Sequence, residues 1–130
     1  MLLDTFRLLC LLNAAEPFHE AAVICFEQAS VRSTHSYVLA ELIALADARR
    51  LPRVACLDFV ASIQSSTEIE TVWVDEELHR AAFVLLQSRH DKFWSLCDAV
   101  SFVLMQRRDL VEALTNDRHF QQAGFQRLLV

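Results

Sequence analysis

Three short segments rich in β-branched residues, SVRST (30–34), IETVWV (69–74) and LVEALT (110–115), are set apart by runs long enough for helices. This alternation constrains the fold more than any other feature. Strands separated by helical crossovers pair in parallel, and a parallel sheet must be covered on both faces. MLLD at the start reads as a further strand. The expected architecture is therefore α/β: a three-layer α/β/α sandwich with a short central parallel sheet of about four to five strands, in a single domain over residues 1–130. PFHEAAVICFEQA and PRVACLDFVASIQ read as helices with Pro17 and Pro52 in their first turns. SYVLAELIALADARR, DEELHRAAFVLLQS and SLCDAVSFVLMQRR read as helices capped by Ser36, Asp75 and Ser95. One glycine and two prolines leave few breaks, as a helix-rich chain requires.

Hydrophobic residues at 54% against 22% charged argue for an ordered globule. A net charge of -5 speaks against a general nucleic-acid binder, which needs a basic patch. Lys92 is the only lysine, so positive charge rests on arginine. Arg32, Arg49, Arg50, Arg53, Arg107, Arg108 and Arg118 are candidates for a local basic track, with a solvated face as the alternative. The apolar runs fall short of the roughly 18 residues of a membrane span. The start of the chain is too acidic for a signal peptide. The expected location is cytoplasmic, away from membranes. Cys10, Cys25, Cys56 and Cys97 form no C-x-x-C pair and are expected to be buried, reduced thiols.

Sites in parallel sheets form beyond the carboxyl ends of the strands. Asp4 ends the first strand and Asp117 follows the LVEALT strand. Asp98 lies in a helix whose apolar residues point in every direction, where an unpaired carboxylate costs several kcal/mol. A capping box with Ser95 is the alternative explanation, and the two roles can coexist. Glu41 flanks the apolar stripe of its helix, as a solvated rim residue or as part of a site. Strand carboxyl ends and helix amino ends share one side of a parallel layer, so all four acids can converge. Two carboxylates about 5 Å apart repel by roughly 3 kcal/mol at an effective dielectric near 20. Such a group takes up protons or holds a cation, and an all-oxygen set favours Mg²⁺ or Mn²⁺.

LLDT, STHSYVLAEL, WSLCDAVSFVLM and EALTNDRHFQQAGFQRL, in that order, resemble the acidic motifs of the PIN domain, in particular the VapC-like toxin nucleases. The resemblance covers essentially the whole chain. It implies an RNA-cleaving hydrolase dependent on Mg²⁺ or Mn²⁺, the toxin of a toxin–antitoxin pair, with an RNA-processing nuclease outside such a pair as the alternative. Asp4, Asp98 and Asp117 become the principal metal ligands, Glu41 serves a second ion or positions the water, and Thr115 is a polar accessory. HFQQAGF becomes a short helix closed by Gly124, followed by a last strand in FQRLL. The resemblance also implies a small antitoxin that pushes a basic residue among the acids. The apolar surplus in RLLCLLN and AAVICFEQ suits an antitoxin groove or a homodimer.

This chain departs from the family where a small polar residue often follows Asp4-Thr5: here Phe6 and Arg7 stand. Arg7 is expected on a helix surface, with phosphate contact as the alternative. His35 and His119 are expected to be partly exposed and hydrogen-bonded rather than ligands. Two rival readings remain distinct. A receiver-type signalling domain needs a lysine at a late strand end, which Lys92 in the loop RHDKFW does not supply. A PIN-like binding module with lost catalysis is separated from a nuclease by Mn²⁺-dependent RNA cleavage that EDTA abolishes.

Overall fold

Successive side chains on a strand point to opposite faces, so a strand buried on both faces joins two cores. The first strand, β1 (Leu2–Leu3), does this with two residues, both fully buried. The computed structural model describes residues 1–129. After β1 come α1 (Thr5–Leu12), α2 (His19–Gln28), β2 (Ser33–His35), α3 (Ser36–Ala48), α4 (Arg53–Ser65) and β3 (Glu70–Val72). The second half runs α5 (Glu76–Ser88), α6 (Leu96–Arg107), β4 (Glu112–Leu114), α7 (Arg118–Gln122) and β5 (Gln126–Arg127). The five strands lie in the order β3-β2-β1-β4-β5, and every pairing is parallel.

Leu3 and Leu114 face a core built with Leu8, Leu9, Val38, Leu42, Cys56 and Val60, so α1 to α4 cover that side. Leu2 and Ala113 face the other, packed under Trp94, Phe102, Met105 and Phe120. Phe102 of α6 anchors this second core: its ring meets Trp94 and Phe120 edge-on with centroids 5.0 Å apart in both cases, and stacks on Phe125. The three expected layers are present. No helix among the described residues is long and apolar enough to cross a membrane.

The strands are shorter than their β-branched segments: IETVWV contributes only Glu70–Val72 to the ladder, and Trp73 beyond it is 63% exposed. The caps are mixed. Asp75 accepts from the Leu78 amide at 2.8 Å, and Ser95 with Asp98 forms the reciprocal capping box. Ser36 does not cap α3. That role falls to His35, whose Nδ1 accepts from the Val38 amide, while Ser36 Oγ accepts from Val74 N at 2.9 Å and ties α3 to the loop after β3. Neither proline is inside a helix. Pro52 is the N-cap position of α4, and Pro17 follows Glu16 in the turn closed by His19 N donating to Glu16 O. Gly124 ends α7 with φ +93°, and the amides of Gly124 and Phe125 donate back to the carbonyls of Gln121 and Phe120. That pair of bonds requires a left-handed residue, which glycine adopts without a Cβ clash.

Candidate active site at the carboxyl edge of the sheet

From β1 the chain crosses under one face to β2 and β3, then returns over the other to β4 and β5. Crossovers diverge to opposite faces between β1 and β4, which opens a crevice at their carboxyl ends. Asp4 follows β1 and Thr115 follows β4, and the Thr115 hydroxyl donates to Asp4 Oδ2 at 2.8 Å across that crevice. Thr115 Oγ1 also accepts from the Asp117 amide at 3.0 Å. One hydroxyl thus fixes the relative position of two of the expected acids.

Asp117 then caps α7, its Oδ1 accepting from the His119 amide at 2.9 Å. Asp98 enters from the far side, as the third residue of α6. Its Oδ2 accepts from the Ser95 amide at 3.0 Å and from His119 Nδ1 at 2.9 Å. Capping and site geometry coexist in this one carboxylate. Glu41, in the second turn of α3, is exposed at the rim beside the Cys97 thiol, which burial and the Glu41 carboxylate push up. All four acids line a single cleft of about 490 Å³, together with Arg118 and His119. Phe6 and Leu45 give it one apolar wall.

The electrostatics favour a cation. Burial pushes the Asp4 carboxyl up to about 7; the Thr115 hydrogen bond opposes this, and the nearby Asp98 and Asp117 carboxylates add to it. No lysine or arginine among the described residues forms an ion pair with Asp4, Glu41, Asp98 or Asp117. A divalent ion fits the donors present: Asp98, Asp117 and His119 each offer an atom within 4.8 Å of the other two. Asp4 and Glu41 flank that trio from the buried and the exposed side.

Several expectations are corrected here. Arg7 is not on a surface: it is fully buried, its guanidinium 4.3 Å from the centroid of Phe18 and 5.1 Å from that of Phe6. Phe18 is eleven positions downstream, at the N-cap of α2, so α1 alone gives no sign of this stack. His35 is also fully buried, its Nε2 paired with Ser101 Oγ at 2.8 Å, and burial lowers it to about 4. It is a neutral clamp between β2 and α6, outside the cleft. His119 is partly exposed and hydrogen-bonded as expected, but its partners are Asp98 and Asp117, which puts it inside the site. Its spacing of two from Asp117, on the first turn of a short helix, was the available signal. The basic track is largely neutralised: Arg32, Arg49, Arg53, Arg107 and Arg108 reach Glu68, Glu16, Asp47, Glu77 and Glu70. Arg118 remains at the cleft. The four cysteines are unpaired, Cys10 and Cys56 buried but Cys25 and Cys97 only half-buried.

A family model described as the PIN domain matches residues 1–126. The crystal structure of VapC20 from Mycobacterium tuberculosis, described as a sarcin-ricin loop cleaving toxin, is similar with a TM-score of 0.87. The likeness covers 96% of this chain and 95% of that one at 28% sequence identity. No curated protein matches the chain. With the family model spanning nearly the whole length and the acids gathered where its topology reverses, the chain belongs to the PIN domain family.

Proposed function

We propose that this protein is a VapC-like ribonuclease that hydrolyses RNA phosphodiester bonds at the β1/β4 crevice with the help of Mg²⁺ or Mn²⁺. The observation that carries this reading is the convergence of Asp4, Glu41, Asp98 and Asp117 on one cleft in a chain of this family. The chemistry that a bound divalent ion supplies is neutralisation of the phosphodiester and activation of the attacking water. The chain's own residues do the rest. Asp98, oriented by the Ser95 amide, and Asp117, oriented by the His119 amide, hold the cation. Asp4 joins them as an acid poised near neutrality, set in place by Thr115. Glu41, exposed at the rim, orients the water or serves a second ion, and Arg118 takes up a phosphate of the RNA.

In this reading the protein is the toxin of a pair and works in the cytoplasm. An apolar groove lined by Leu11 of α1, Phe26 of α2 and Phe59 and Ile63 of α4 supports a helical antitoxin segment docking there. Exposed Phe83 and Val84 on α5 support a second copy of the chain as a further partner. The decisive experiment offers an RNA hairpin carrying the sarcin-ricin loop, the target named for the Mycobacterium tuberculosis relative, alongside unrelated RNAs. Cleavage with Mn²⁺ or Mg²⁺ that EDTA stops and Asp98→Asn removes is expected. Equal cleavage in EDTA, or by the Asp98→Asn variant, sinks the proposal.

A further inference from the structure

His119 is held as a ligand would be. Its amide donates to Asp117 Oδ1 at 2.9 Å, which sets the residue at the start of α7 with its ring over the cleft. Its Nδ1 then stands 2.9 Å from Asp98 Oδ2 and 3.6 Å from Asp117 Oδ2. Neighbouring ligands on an octahedral ion with bonds of about 2.1 Å lie about 3 Å apart, so these spacings are close to edges of one coordination polyhedron. Asp4 is outside this trio and flanks it from the buried side, its Oδ2 accepting from Thr115. The side of the cleft formed by α6 and α7 therefore offers two oxygens and one nitrogen.

The geometry points to His119 as a nitrogen ligand of the ion held by Asp98 and Asp117, with the ring proton on Nε2 and the Nδ1 lone pair given to the ion in place of the hydrogen bond to Asp98, an assignment that rests on the metal-dependent nuclease reading above. Imidazole nitrogen is a poor partner for Mg²⁺, and its affinity for divalent transition ions climbs from Mn²⁺ to Co²⁺. His119 thereby makes the site discriminate transition ions from Mg²⁺, which four carboxylates alone do not do. A different role for the ring, merely hydrogen-bonding Asp98, predicts something else. A bond that only orients Asp98 strengthens the binding of every ion alike, whereas a nitrogen ligand matters most to the ions that prefer nitrogen.

The test measures binding of Mg²⁺, Mn²⁺ and Co²⁺ to the full chain and to His119→Asn by calorimetry. Asparagine keeps an amide near the Nδ1 position, able to donate to Asp98, and circular dichroism checks its fold. Pulsed electron paramagnetic resonance of the Mn²⁺-loaded parent protein looks for ¹⁴N coupling independently of any variant. We expect that coupling in the parent and its loss in the variant. Co²⁺ affinity should fall by about tenfold or more, Mn²⁺ affinity by less, and Mg²⁺ affinity hardly at all. Mn²⁺ bound without nitrogen coupling, or equal losses for all three ions, overturns the ligand assignment and leaves the nuclease reading standing. No binding of any ion by the parent protein overturns both.

Discussion

Replacing Asp4 by Asn should make the metal-free protein more stable while destroying its activity. The carboxyl of Asp4 is raised from 3.8 to about 7 in the folded chain, chiefly by burial. A raised carboxyl pKa means that the folded state binds the proton more tightly than the unfolded state does. The stabilising contribution is therefore fully present below about pH 4 and is lost as pH rises through about 7. Three pKa units correspond to about 4 kcal/mol, most of it lost between pH 5 and pH 8. Asn removes that dependence yet still accepts from Thr115 through its amide oxygen. Urea unfolding of both proteins in EDTA at pH 5 and pH 8 measures the difference. The variant should gain on the parent by about 2–3 kcal/mol between the two conditions. In Mn²⁺ at about 100 times its Kd the parent should recover about 2.7 kcal/mol and the variant much less. A stability difference that does not change with pH refutes the argument that Asp4 is held against its own ionisation.

Thr115→Val keeps the volume but removes the hydroxyl that bonds Asp4 and the Asp117 amide; RNA cleavage should fall by about 10–100-fold with an unchanged circular dichroism spectrum. His35 is lowered from 6.5 to about 4, so its contribution is present above about pH 6.5 and lost as pH falls towards 4. Denaturant unfolding of His35→Gln in EDTA should therefore lack about 3 kcal/mol of acid destabilisation that the parent shows over that window. Gly124→Ala meets no atom within 4 Å but must hold φ +93°, so a thermal melt should show a loss of about 1–2 kcal/mol from backbone strain alone.

The fold was legible where a local signal and the tertiary structure agree. Asp75, Ser95 with Asp98, and Gly124 announce helix ends through their own short-range chemistry, and the structure uses all of them. The four acids were legible because strand and helix ends meet on one side of a parallel layer, whatever the loops do. Buried polar residues were not. His35 owes its burial to Ser101, sixty-six positions away, and Arg7 owes its place to Phe18, so neither is readable from the residues beside it. Ser36 looked like a cap because serine commonly is one. The residue before it already offers an acceptor to Val38, which leaves the serine free for Val74. His119 shows the same limit in the site itself: sequence places it near Asp117, but only the approach of α6 brings Asp98 to its ring.

The double engagement of Asp98 bears on how an inactive control protein should be made. Alanine at that position would strip the Ser95 amide of its acceptor as well as emptying the cleft of a charge, so a silent alanine mutant is equally well explained by a frayed helix. Asparagine leaves an oxygen for that amide and subtracts only the anion. A comparison of the two substitutions in growing cells would tell loss of chemistry from loss of protein, a distinction that protein abundance alone often decides.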